Sequence, residues 1–518
     1  MLKKIKTEKF AGQLEGMAVM LILVLVLAFM LVLCLSAYTQ TSYLNTDHAS
    51  GENIDIYGDN VFLNLILLVV YLCLAYLFYQ YTDSVKIRTL ELVLYGWMFF
   101  FGCLFIMTTK LAAPVYSDSF IVTNSALEAA NNTFYTMGSY FARFPFQLGY
   151  VLYCEVFFRV ALMLLPGLPE GYYFLALQGV NLIWLIISYL ALLRITSLLC
   201  GNERIHKLTV LLMIFSLQPV MSCTFLYGNI PAFSCGIIAV WMFVLFIRKG
   251  GVYYALLCAL ALSLAVTLKL NLMIFLVAIG GVWLVELVKK FSLRSALCLV
   301  LVVFSVLTIS KLPQSLYEKR SGYEFGDGIP MSAWLAMGLS EGHAAAGWYK
   351  EDNTVTAFKM SGNDPVATGE HAKAVIKERV SFFAADPGEA LRFFSEKLRS
   401  QWNEPSYDSI WLNQVFLSYS EKGGLYSFLC DKGEQLTLSF MNQHQQIIFL
   451  GTVLGIIALM KKRDILSCIL PLIILGGLMY HLLFEAKSQY ALPYFIMMLP
   501  VAACGLSAFY ELMKKKVS

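Results

Sequence analysis

Charge is what this sequence has least of. Asp, Glu, Lys and Arg make up 14% of its 518 residues, against 59% hydrophobic residues. That balance argues against a soluble globular chain and for the polytopic membrane class. Ordered cysteine patterns are missing too. Of twelve cysteines, eleven lie in or at the ends of apolar runs and only Cys430 stands in a polar region. With no CxxC and no Cys/His cluster, neither a disulfide framework nor a zinc site is suggested. There is no Walker A motif, no Gly-rich nucleotide loop and no Ser/His/Asp arrangement, which argues against a nucleotide-driven transporter or a soluble-type hydrolase. No internal repeat or low-complexity segment is present. The net charge of +4 sits in short loops, so it reports topology, and no nucleic-acid partner is expected.

What the chain does have is a series of apolar runs about 20 residues long, the length a helix needs to cross a bilayer. Twelve spans are expected near 17–38, 61–80, 89–109, 172–199, 208–227, 231–248, 252–270, 272–289, 295–311, 446–460, 465–484 and 490–512. The first follows Lys3, Lys4, Lys6 and Lys9 and is too long for the core of a cleaved signal peptide, so it reads as retained. Basic clusters recur at Lys86/Arg88, Arg194/Arg204/Lys207, Arg248/Lys249, Lys289/Lys290/Arg294, Lys461/Lys462/Arg463 and Lys514/Lys515/Lys516. Twelve spans put every cluster, and both termini, on the cytoplasmic side. The run 146–165 is left out of that count, because a further crossing would move most clusters outside. Its Glu155 and Arg159, four apart, share a helical face, and charge is costly at mid-bilayer. It is read as a helix in the outer interface, a crossing with an internal ion pair being the competing reading.

Three outward segments follow. The first is the loop 110–149 with its interfacial helix, 146–165. The second is a set of short turns at 227–231, 269–271 and 485–490. The third is a polar insertion, 312–445, which separates an N-terminal membrane domain, 1–311, from C-terminal membrane helices, 446–518. The insertion reads as helical. Asp386-Pro387 is a helix start, and Leu391, Phe394 and Leu398 fall at helical spacing after it. The run AKAVIKERVSFFA before it is also amphipathic. No period-two pattern is strong enough for a sheet.

The polar residues in those outer segments are the candidates for chemistry. Asp118, the only Asp of the loop, can act as a general base toward an acceptor hydroxyl. It can equally cap the helical stretch after it. Tyr140 to Gly149, YFARFPFQLG, combines Arg143 with aromatics. Arg143 can bind phosphate bidentately, or snorkel from an aromatic belt. Lys269 is a cation at the outward end of a span, suited to a phosphate or to a lipid headgroup. Glu485 and Lys487, with Tyr490, form either a surface ion pair of little energetic weight or part of one polar cavity. His481 reads as packing, and His343 and His371 as surface residues.

The order of these blocks resembles a known family. An Asp follows a transmembrane helix, and YFARFPFQLG follows an Ala-rich stretch. Later come LYGNIP, LKLN, GIPMSAWLAMGL at 328–339, SEKLRSQWNEPSY at 395–407 and HLLFEAKSQY at 481–490. From about residue 89 on, the chain is similar to the GT-C superfamily of membrane glycosyltransferases, in particular the bacterial, Gram-positive branch of the family 39 group that includes the dolichyl-phosphate-mannose protein mannosyltransferases. The resemblance implies an all-α polytopic membrane protein with a GT-C-type helix bundle, an interfacial helix and an extracytoplasmic, mainly helical insertion. It implies an inverting hexosyl transfer from a polyprenyl-phosphate sugar to an envelope acceptor (glycan, lipid or protein hydroxyl) on the outer face of the plasma membrane. Asp118 matches the family's first-loop catalytic acid. Tyr140, Arg143, Gln147, Asn229, Lys269, Glu485, Lys487 and Tyr490 fall where donor phosphate and sugar are lined. Members often carry a second outer-loop acid. Here Ser119 follows Asp118 and the later turn has Asn229, so a divalent metal is not supported, no other cofactor is expected, and Asp118 acts alone or with Glu128 if that residue faces inward. A flippase of lipid-linked sugars and a non-catalytic envelope-assembly protein are the rival readings.

Overall fold

The computed structural model describes residues 2–45, 52–81, 84–109, 117–417 and 424–517. The start of the loop 110–149, up to residue 116, lies outside the described residues. The chain is almost wholly helical. It begins with α1 (Leu2–Thr39), a hairpin of β1 (Gln40–Asn45) and β2 (Asn53–Gly58), α2 (Val61–Tyr81) and α3 (Ile87–Thr109). The loop region holds α4 (Ser117–Ala130), α5 (Ser139–Arg143) and α6 (Leu148–Leu164). Then come α7 (Glu170–Cys200), α8 (Glu203–Ile214), α9 (Gln218–Met221), α10 (Asn229–Lys249), α11 (Val252–Leu268), α12 (Met273–Lys289) and α13 (Leu293–Ile309). The insertion contributes α14 (Leu312–Ser321), α15 (Met331–Gly338), α16 (Val355–Met360), α17 (Pro365–Ala385), α18 (Pro387–Trp402), α19 (Ser409–Leu417) and α20 (Gly424–Cys430). The chain returns through α21 (Glu434–Leu459), α22 (Ile469–Leu483) and α23 (Leu492–Val517).

Among the described residues, ten helices are long and apolar enough to cross a membrane, or eleven if a bent pair counts as one span. Nine coincide with expected spans, and the tenth is Pro145–Leu164, the run left out of the expected count. The other three expected spans depart for physical reasons. The run 208–227 is broken, α8 and the segment after it meeting at 50° where Pro219 removes a backbone donor. The helix α11 has only 17 residues. The run 446–460 is the apolar end of α21, whose preceding turn is polar and buried. There Gln446 Nε2 donates to the Ala37 carbonyl (2.8 Å), Gln445 Nε2 to the Trp402 carbonyl (2.9 Å), and His444 meets Ser216 Oγ (3.0 Å). Large apolar side chains of α2 and α13 stand exposed around the bundle, as a hydrocarbon surround requires.

The basic clusters gather at one end. Arg194 and His206 both reach Glu91 (3.1 and 2.9 Å), Lys289 reaches Glu15 (2.8 Å), Arg204 reaches Glu511 (2.9 Å), and Arg294 donates to the Gly250 carbonyl (2.7 Å). The turns after α9, α11 and α22 lie at the other end.

Two expectations need correction. A sheet does exist: β1 and β2 pair antiparallel from Gln40–Gly58 to Asn45–Asn53. A lone hairpin is marginal, and this one leans on α18, the Ser42 amide and hydroxyl bonding the carbonyls of Asn403 and Arg399 (both 3.1 Å). On α18 itself the Asp386 carboxylate caps as expected, accepting from the Glu389 amide (3.0 Å). The buried stripe is not the expected one, however. Leu391 is 71% exposed, while Phe393, Lys397, Leu398 and Trp402 point inward. The helix turns its Lys397 face toward the bundle because two backbone carbonyls there accept from that ammonium.

The close approach of α21 and α23 depends on missing side chains. A Cβ on Gly455 would lie 2.1 Å from the Val501 carbonyl oxygen, and one on Gly505 2.1 Å from that of Gly451. Small residues let membrane helices touch along their backbones. Gly505→Val is expected to destabilise the protein by about 1–3 kcal/mol through overpacking, seen as earlier thermal unfolding in detergent. Gly280→Ala, where a Cβ meets nothing within 4 Å, is the control expected to leave the melt unchanged.

Candidate active site at one end of the bundle

The site is built where a loop helix meets three turns. Asp118 stands in the first turn of α4. Next to it, Ser119 Oγ donates to the Leu226 carbonyl (2.8 Å) and so ties α4 to the turn before α10. Gly228 closes that turn at φ +84°, and a Cβ there would strike the Tyr150 ring at 2.9 Å. Only glycine combines that backbone with that approach. Tyr227 is thereby carried over Asp118, and its hydroxyl donates to Asp118 Oδ2 (2.9 Å). The Tyr227 hydroxyl oxygen in turn accepts from buried Gln147 Nε2, held on the short helical turn that Pro145 starts. Lys269, at the C-terminal end of α11, sets its Nζ 3.3 Å from the centroid of the Tyr227 ring. A cation is favoured both over a phenol face and at a helix C-terminus. Burial nonetheless pulls the ammonium down to about 7, with Asp118 and Glu485 opposing the fall.

The turn between α22 and α23 supplies the facing wall. Its Glu485 carboxyl is pushed up to about 7 by burial. Lys487 works against that rise, and Glu52 and Asp118 add to it. Tyr490 sets its hydroxyl 3.4 Å from Glu485 Oε2. Backbone pairing fixes the turn, since the Ala486 amide donates to the Gly347 carbonyl (2.8 Å) beside buried Trp348. Lys397 Nζ clamps the turn from the insertion, donating to the carbonyls of Gly338 and Phe484. Burial lowers that ammonium to about 7 as well.

Between these walls lies a cavity of about 1010 Å³. Six of the residues singled out from sequence line it: Asp118, Gln147, Lys269, Glu485, Lys487 and Tyr490. Three do not. Tyr140 is buried behind the wall, and its phenol is raised well above the usual value by burial and then by the Asp118 charge. Arg143 donates from Nε to the Ser139 carbonyl (3.0 Å) and covers the Phe144 ring at 5.7 Å. Asn229 donates to Gln489 Oε1 (2.7 Å) and braces the 485–490 turn.

Glu485 and Lys487 do not form a surface pair with one another. Lys487 is partnered by Glu52 of the hairpin and lies over Trp411 at 5.8 Å. Burial alone would depress this ammonium, but the Glu52 and Asp408 charges lift it above its ordinary value. Glu128 gives Asp118 no help. It accepts from the Thr136 amide and hydroxyl (2.8 and 2.9 Å) and closes the loop after α4. Reasoning from sequence missed the cavity residues Glu52, Trp334, His343, Trp348, Tyr349, Trp411 and His481. Trp334 lies inside the GIPMSAW block that carried the resemblance. Nothing local marked Glu52, Trp348 or Tyr349. Among the described residues, the three carboxylates close enough to share a cation are Glu15, Glu286 and Asp464, at the other end of the bundle, where Lys289 already pairs with the first two.

No protein-family model matches the sequence, and no curated protein matches it. Among solved structures the fold is similar to an archaeal oligosaccharyltransferase, AglB from Archaeoglobus fulgidus in complex with an inhibitory peptide and a dolichol-phosphate. The identity is 12% and the TM-score 0.42, over 84% of this chain and 52% of that one. The chain therefore spans about half the length of the structure it matches.

Proposed function

We propose that this chain is an integral membrane glycosyltransferase that moves a sugar from a polyprenyl-phosphate donor to a hydroxyl of an envelope acceptor. The observation that carries the reading is one cavity lined by an oriented carboxylate, a cation and aromatic rings. Asp118 is the base. Its Oδ2 is occupied by the Tyr227 hydroxyl, which leaves Oδ1 for the acceptor O–H. The acceptor oxygen attacks the anomeric carbon from the face opposite the phosphate. Its proton passes to Asp118, the carbon–oxygen bond to phosphate breaks, and the electron pair leaves with the phosphate. That geometry inverts the anomeric centre. Lys269 stands where the departing charge can be met by a preorganised cation, a large source of barrier lowering in a water-poor site.

The same reading includes sidedness. The basic clusters collect at the end opposite the cavity, so the positive-inside rule directs the cavity outward. The helix α6 fits an outer interface because of Glu155. That carboxylate accepts from Tyr317 (2.5 Å), Arg320 (2.9 and 2.8 Å) and Arg159 (2.7 Å). Tyr317 and Arg320 lie on α14, the polar stretch that follows the apolar run of α13, so Glu155 is level with the end of a span rather than its middle.

In reconstituted membranes with polyprenyl-phosphate sugars and crude envelope acceptor, the wild type is expected to yield product and Asp118→Asn none, with equal folding. Equal product from both would remove Asp118 as the base, and a flippase would keep moving lipid after the substitution. Lys269 sets a pH dependence. Its ammonium is present below about pH 7 and lost above it. Affinity for a farnesyl-phosphate glycoside, whose single phosphodiester charge does not change in this range, should fall about tenfold between pH 6 and pH 8. Lys269→Met should remove most of that dependence, leaving the part due to Glu485, whose carboxyl becomes anionic near the same pH. Titration calorimetry in nanodiscs reads both.

A further inference from the structure

The helix α15 and the segment after it give the cavity a face that neither the base nor the cation uses. Trp334 on α15, Tyr349 and Glu351 line it. Each brings a free polar group. The Trp334 N–H and the Tyr349 hydroxyl have no hydrogen-bond partner among the described residues, and both atoms remain accessible. The Glu351 side chain is exposed, and the neighbouring Lys350 pairs with Asp352 instead (2.9 Å). The Trp334 ring leans on Phe144, another lining residue, with centroids 6.0 Å apart and 48° between planes. Tyr349 stands between the rim and the base. Burial raises its phenol, and the charges of Glu351, Glu485 and Asp118 raise it further, so all three carboxylates lie within electrostatic reach of one hydroxyl. A phenol so raised stays neutral, able to donate one hydrogen bond and accept others.

This face discriminates among the molecules that can bring a hydroxyl to Asp118. An extended peptide binds by adding to a free backbone edge. Here the backbone is already committed. The amides of Ala346, Gly347 and Trp348 donate to Glu396 Oε1 (3.2 Å) and to the carbonyls of Ser340 (2.9 Å) and Ala345 (3.1 Å), and the Gly347 carbonyl accepts from Ala486. A lipid chain offers no partner to an indole N–H, a phenol or a carboxylate. A sugar offers an apolar C–H face to a ring, and hydroxyls that donate and accept at once. We propose that the acceptor is a glycan and that Trp334, Tyr349 and Glu351 form its subsite. The Trp334 ring stacks on a sugar of the acceptor. The Tyr349 hydroxyl bonds the sugar that carries the attacking hydroxyl and turns it toward Asp118. Glu351 accepts from hydroxyls farther out. The inference rests on the glycosyltransferase reading and deepens it by naming the acceptor class. The transfer step itself is unchanged.

The full-length protein in nanodiscs is given farnesyl phosphate carrying tritiated glucose, galactose, mannose or N-acetylglucosamine, together with crude envelope acceptor. One portion of the acceptor is untouched and one is digested beforehand with proteinase K. A third is oxidised with periodate and reduced with borohydride, which opens the vicinal diols of sugars. The wild type is expected to label the untouched and digested portions alike and the oxidised portion hardly at all. Label that is lost on digestion and kept after oxidation overturns the proposal in favour of a peptide. Label that is kept after oxidation and leaves with chloroform–methanol overturns it in favour of a lipid hydroxyl. With the digested acceptor, Tyr349→Phe should raise the acceptor KM about tenfold, the loss of one well-placed hydrogen bond. Its kcat and its donor affinity by calorimetry should change little. Trp334→Ala should act the same way, and Trp334→Phe, which keeps a ring, should recover part. A merely structural role would move donor affinity and the thermal melt instead. If neither Tyr349→Phe nor Trp334→Ala moves the acceptor KM, the subsite is overturned. A wild type that binds a donor and labels no portion overturns the acceptor assignment and leaves the donor site standing. A wild type that binds none of the four donors overturns the glycosyltransferase reading itself.

Discussion

A carboxylate and an ammonium share one phenol. The Tyr227 hydroxyl holds Asp118, and its ring face carries Lys269. Each contact constrains a different part of the chain, because Asp118 opens the loop helix α4, Tyr227 ends the broken span before α10, and Lys269 ends α11. If any of these three helix ends shifted, the pair would come apart and leave a charge in a poorly solvated place, which is expensive. Much of the architecture around the cavity can be understood as support for this contact. Ser119 ties α4 to the turn, Gly228 permits the approach over Tyr150, and Gln147 fixes the phenol oxygen from behind.

The opposite wall follows another logic. There the polar groups are held mainly by backbone carbonyls. Lys397 bridges two of them, and Ala486 joins the insertion to the α22–α23 turn through a single amide. The wall is therefore a junction between the membrane helices and the 312–445 segment, and Trp348 reaches the cavity because of that junction. Lys397 and Lys269 are both brought to about 7 by burial, and Glu485 is raised to about 7 by the same cause.

Part of this was legible in the residues alone. Nine of the twelve expected spans appear as crossing-length helices, because 20 apolar residues in a row leave a chain few alternatives in hydrocarbon. Lys269 stood out as a cation at a span end with few others, and six of the nine site residues do line the cavity. Arg143 lies off the cavity lining, because a sequence position next to aromatics does not say whether an Arg reaches inward or bonds its own helix, as it does at Ser139. The hairpin was overlooked because QTSYLN and NIDIYG are only six residues each, too short to stand out beside long apolar runs, and the first is anchored through Ser42 on the end of α18.

Composition and spacing by themselves determined that the chain is a helical membrane protein, roughly where its helices run, and which short turns carry unusual charge. These properties depend on the free energy of single segments in hydrocarbon, which local sequence encodes. Tertiary packing alone decided which turns face one another. The contact of Gly455 and Gly505 sets how closely α23 lies on α21, and that in turn bears on where Glu485, Tyr490 and His481 stand relative to Lys269. Pairings such as Glu52 with Lys487 join residues 435 positions apart. No periodicity links such positions, because they meet only when distant helices pack.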